Sequence, residues 1–81
     1  MTVVLGDGVP EVFESLPFAL RKKAAEIIEL IALFPEMYPI RRRGLMRGYR
    51  YFVVFDHLFY YSVSSSEVRI SAIIPGRMEQ A

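Results

Sequence analysis

The chain has 81 residues, 53% of them apolar, with a net charge of +1, no Cys and one His. That length holds one small domain, and that apolar content excludes a disordered tail. The lack of Cys excludes a disulfide framework and a thiolate zinc site, and a lone His without a carboxylate cluster argues against any metal site.

In chain order, Thr2–Leu5 is short and β-branched, which predicts an edge strand that Gly6-Asp7-Gly8 ends. Pro10-Glu11 starts a short helix, with Glu11 and Glu14 near its positive dipole end. Val12, Phe13 and Leu16 are its expected buried side. Pro17 interrupts it or begins the next helix. Phe18–Phe34 is the best-defined element. Leu20, Ala24, Ile27, Ile31 and Phe34 recur at helical spacing and form one apolar face. Ala25, Ile28 and Ala32 widen that face, and Leu30 and Leu33 start a second. Arg21, Lys22 and Lys23 lie near the start of this helix, where the macrodipole disfavours cations. Pro35 stops the helix, and Phe34 to Pro39 forms a turn with two prolines.

Ile40 to Gly48 is basic and punctuated by glycine. Beyond it the period changes. Tyr49–Phe55, Leu58–Val63 and Val68–Ile74 are rich in Tyr, Phe, Val and Ile, which predicts three strands. Asp56-His57 and Ser64-Ser65-Ser66 are short links, so the strands form an antiparallel meander. The last strand alternates, with Val68, Ile70, Ala72 and Ile74 on one face and Arg69, Ser71 and Ile73 on the other. The expected architecture is α+β. An N-terminal helical hairpin packs on one face of an antiparallel β-sheet, which joins a weak N-terminal edge strand to a three-strand C-terminal meander. Residues 1–81 form this single domain. Register decides whether the open face carries Arg50 or Tyr49 and Tyr51, and Tyr60 or Tyr61.

The charge is unevenly spread. Residues 1–40 hold three cations against six anions, and residues 41–81 hold seven arginines against three anions. Arg offers a planar fork suited to phosphate and carboxylate, so the second half suits an anionic partner. The usual catalytic devices are missing. Gly6-Asp7-Gly8 matches no phosphate-binding loop, and His57 reads as an exposed turn residue without a nucleophile nearby. What remains is Arg with Tyr, which supports binding more strongly than acid–base catalysis. The longest apolar runs, Leu30–Pro35 and Phe52–Phe55, fall far short of the roughly 20 residues a membrane span needs. The N-terminus carries no signal-peptide pattern, so a cytosolic setting without membrane attachment is expected.

The run from Gly48 to Val63, followed by Val68 to Arg77, resembles the C-terminal half of RelE/ParE-type toxins. These are the small toxins of type II toxin–antitoxin modules, also called plasmid stabilisation proteins. Members show an Arg-aromatic strand, a Tyr-Tyr strand and a last strand followed by Arg. Leu16-Pro17 with its following helix, and Phe34-Pro35, match the family's helical hairpin and the stretch after it. The resemblance implies a toxin that arrests growth through an essential cytosolic target. Either it cuts mRNA on the ribosome as an endoribonuclease, or it inhibits DNA gyrase without a nuclease site. It implies no cofactor, a cognate acidic antitoxin as partner, and assembly as a homodimer or a hetero-oligomer with that antitoxin. Arg50 and Arg77 take the family's catalytic Arg positions. Arg41, Arg42, Arg43, Arg47, Tyr60 and Tyr61 fall where substrate or target would be held. Pro75 stands where many relatives carry His, and the tail is Met78-Glu79-Gln80-Ala81. Both departures count against the nuclease branch. The alternative is a non-toxic or degenerate domain of the same fold that only binds.

Overall fold

The structure, a computed structural model, describes residues 1–78. Its elements run β1 (Thr2–Leu5), α1 (Val9–Ser15), α2 (Phe18–Leu33), β2 (Arg50–Val54), β3 (His57–Val63) and β4 (Glu67–Pro75), followed by a 3-10 turn (Gly76–Met78). The strands form one sheet in the order β1-β4-β3-β2. The last three make the antiparallel meander, and β1 takes an edge, as the sequence predicts. β1 runs parallel to β4, with Val3 opposite Val68 and Leu5 opposite Ile70, so the sheet is mixed. Side-chain alternation fixes which face a strand buries but not its direction. That direction follows from the helical hairpin, which carries the chain across the sheet before β2.

Gly6 extends the β1–β4 pairing by donating its N–H to the Ile70 carbonyl at 2.8 Å. α1 then starts on Gly8, in the left-handed region at φ 79, with Pro10 in its first turn. Its buried side is Val9, Phe13 and Leu16, a helical spacing that reaches back to the first residue. Val12, expected inside, is 41% exposed, because the helix begins one residue before Pro10 and Val9 takes the inward position. In α2, Leu20, Ala24 and Ile31 are buried and Ile27 and Ile28 pack against them. Phe34, expected on the same face, is exposed. Its N–H donates to the Leu30 carbonyl, but its backbone has left the helix at φ −131, so its ring no longer follows the helical stripe.

The hairpin between β2 and β3 turns on Phe55 and Asp56, since Val54 pairs with His57. The sequence placed this link one residue later. The core lies between α2 and one sheet face. Phe52 stacks on Phe59 with centroids 4.9 Å apart, and Tyr61 and Tyr38 complete the aromatic cluster. Each large apolar side chain buried there contributes roughly 1.5–3 kcal/mol. β4 breaks its own alternation. Tyr60 pairs with Ala72 and Tyr61 with Ile70, so Ser71 is an extra residue in a β-bulge. Beyond it the faces swap, and Ile73 joins Val68 and Ile70 against the core. Ala72 and Ile74, expected beside Val68, turn to the other face for this reason.

Candidate anion-binding surface

The segment between α2 and β2 is built by backbone hydrogen bonds rather than by regular structure. Ile40 bridges Arg50. The Arg41 N–H donates to the Tyr49 carbonyl at 2.7 Å, and the Gly48 N–H donates to the Arg41 carbonyl at 2.8 Å. The Arg47 N–H closes the tip onto Gly44. Gly44 and Gly48 sit at φ 85 and 94, conformations that glycine adopts without strain. The result is a small arm that projects the arginines beside the start of β2. Arg42, Arg43 and Arg47 are exposed, and Leu45 stands fully in solvent at the tip.

Tyr51 lies on the sheet face opposite the helices, because its neighbour Phe52 faces the core. The Arg41 guanidinium sits 5.8 Å from the Tyr51 ring centroid and donates from Nε to the Arg43 carbonyl. Tyr60 packs behind Tyr51 at 6.0 Å. Among the described residues, Pro39, Ile40, Arg41, Arg42, Arg43 and Tyr51 line a hollow of about 360 Å³. The Arg41 guanidinium over Tyr51, with Arg42 and Arg43 in the same wall, can hold a carboxylate or phosphate while an apolar or planar group rests on Tyr51. Tyr51 was not among the expected site residues. Its signal in the sequence was the Arg-Tyr pair at the head of the strand, whose face only the register decides.

The other expected residues fall in three different settings. Arg50 points to the helix side of the sheet. It donates to the Tyr38 carbonyl at 2.7 Å and the Glu36 carbonyl at 3.4 Å. It also borders a groove of about 460 Å³ with Glu36, Tyr61 and Ser62 to Ser65. Tyr60 and Tyr61 are fully buried, and the Tyr61 hydroxyl donates to the Pro35 carbonyl at 2.9 Å. Burial pushes the Tyr61 phenol above its ordinary value of 10.0. Arg77 is exposed in the 3-10 turn at the far end of the sheet. Four residue steps along β2 separate the Arg50 end from the Val54–His57–Pro75 end. At about 3.3 Å per residue that is roughly 13 Å along the strands. The structure therefore brings Arg41, Arg42 and Arg43 together and keeps Arg50 and Arg77 apart.

His57 also differs from its expected place. It is the first residue of β3, and its side chain is only 17% exposed. Its Nδ1 lies 2.8 Å from Asp56 Oδ1. That hydrogen bond holds the Asp56 carboxyl below its ordinary value of 3.8, and the Arg77 charge acts in the same direction. Among the described residues, no group of His, Cys, Asp or Glu is arranged to hold a metal ion, and no helix is long and apolar enough to cross a membrane. No protein-family model matches the chain, and no curated protein matches it.

Proposed function

We propose that this chain is a growth-arresting toxin of the RelE/ParE type that acts by binding, with the Arg41–Arg43 arm and Tyr51 as its contact surface. The observation that carries this reading is the hollow that Arg41, Arg42 and Arg43 line together with Tyr51, whose ring centroid lies 5.8 Å from the Arg41 guanidinium. The α+β arrangement of helical hairpin and strand meander agrees with the fold that the resemblance implies. A nuclease would need Arg50 and Arg77 at one phosphate, and they lie at opposite ends of the sheet. Arg50 is moreover committed to two carbonyl groups. The same basic hollow suits an acidic antitoxin, which would silence the toxin by covering its contact surface.

The test is induced expression of the parent and of an R42E/R43E variant. Both side chains are exposed, so the variant should melt within a few degrees of the parent. The parent should stop growth and the variant should not. Purified protein should then inhibit gyrase supercoiling and leave ribosome-bound mRNA intact. Cleaved mRNA would favour the nuclease branch instead. Normal growth on expression of the parent would favour a non-toxic binding domain.

A further inference from the structure

A second hollow lies where the start of α2 meets the β2–β3 turn, at the opposite end of β2 from the arginine arm. Phe18, Ala19, Lys22, Lys23, Glu26 and Phe55 line it, and its volume is about 430 Å³. Two phenyl rings from distant parts of the chain converge there, 69% and 70% exposed. A single exposed apolar residue needs no explanation, but two rings sharing one hollow do. Phe55 reaches the hollow from a backbone at φ 53. A bulky residue is strained in that region, whereas Gly or Asn occupies it readily. The turn thus keeps a strained aromatic residue where an unstrained polar one would close the hairpin equally well.

The charges beside these rings are also out of place for a free helix. α2 starts on Pro17 with no side-chain cap and no acid in its first turn. Arg21, Lys22 and Lys23 follow, at the end where the dipole is already positive. Arg21 is answered by Glu14 at 3.8 Å and Lys23 by Glu26 at 4.0 Å. Among the described residues Lys22 has no ion pair. Its charge and the uncapped first turn form a positive field beside the two rings.

We propose that this hollow docks an acidic, amphipathic segment of a protein partner. The apolar side of that segment rests on Phe18 and Phe55, and its carboxylates meet Lys22, Lys23 and the start of α2. This pairing removes the rings from water and supplies the negative charge that the helix start lacks. The proposal goes beyond the toxin reading and stands without it, because it invokes neither the arginine arm nor any effect on growth.

The probe is a synthetic amphipathic peptide with Leu on one helical face and Glu on the other. It is titrated into the isotope-labelled protein while backbone amide shifts are followed. Its counterpart with Lys in place of every Glu serves as the charge control. The Glu peptide should shift the amides of Ala19, Lys22 and Phe55, and the Lys peptide should leave them in place. Lys22→Glu and Phe55→Asn should each weaken binding about tenfold. Phe55→Asn relieves the turn, so its melting temperature should not fall, which separates lost binding from lost fold. Four results would each overturn the proposal: equal binding of both peptides, shifts centred on Arg41–Arg43, unchanged affinity in both variants, or shifts at these amides that follow protein concentration alone.

Discussion

Arg50 directs its charge to the backbone of the turn after α2, where the Tyr38 and Glu36 carbonyls accept its hydrogen bonds. Hydrogen bonds to a charged group contribute about 1.5–3 kcal/mol, so Arg50→Ala should lower unfolding free energy by roughly that amount. Arg50→Lys should recover only part, because an ammonium lacks the fork that spans two carbonyls. Denaturant midpoints for the two variants measure this, and a loss below about 0.5 kcal/mol for Arg50→Ala would show that the contact is not structural. Two other residues set a pH response. Asp56 has a lowered folded pKa, so its contribution is present above pH 3.8 and lost as pH falls through the lower folded value. His57→Ala removes the main cause, and the Asp56 carboxyl titration should then move back up, as read by NMR. Tyr61 has a raised folded pKa, so its contribution is intact below pH 10.0 and declines as pH rises beyond it. Melts between neutral and strongly alkaline pH should show that decline in the parent and a smaller one in Tyr61→Phe.

At the scale of elements, α2 decides stability through one side only. Ile31 is fully buried between the helix and the sheet, while Leu33, two residues on, is exposed. Ile31→Ala should therefore cost about 2–5 kcal/mol, a large share of what a domain of this size has. Leu33→Ala should change stability by no more than about 0.5 kcal/mol. Similar losses at the two positions would mean that α2 is rotated from the orientation described. β4 obeys the same logic of faces. Its bulge at Ser71 lets Val68, Ile70 and Ile73 reach one core although their sequence spacing is irregular for a strand.

Across the whole molecule, the separation of Arg50 from Arg77 has a thermodynamic consequence. Residues more than about 10 Å apart without shared partners behave additively. Arg77→Ala alone should leave unfolding free energy within about 0.5 kcal/mol of the parent, because the side chain is exposed. The double variant should equal the two single effects to within about 0.5 kcal/mol. A larger coupling would mean that the two guanidinium groups share a site. The arginine arm and the Phe18–Phe55 hollow likewise sit at opposite ends of β2, so charge reversal in one should leave binding at the other unchanged.

The order and type of the elements were legible in local sequence signals. Helical spacing from Leu20 to Ile31, prolines at 17 and 35, and the β-branched and aromatic runs after Gly48 are local signals, and each became the element they announce. The gathering of the cations was legible too, since seven arginines follow residue 40. Whatever depends on which face or end a residue occupies came from strand pairing and packing. A strand's period of two is the same in either direction, so β1 could be placed at an edge but not oriented. One extra residue at Ser71 inverted the faces beyond it, which alternation along a single strand does not reveal. Arg50 was visible as a basic residue heading a strand. Only the pairing of Arg50 with Tyr61 and of Val54 with His57 turned it toward the Tyr38 carbonyl and set it at the opposite end of the sheet from Arg77. Tyr51 became the floor of the arginine hollow for the same reason, because its outward face follows from Phe52 and Val54 taking the core.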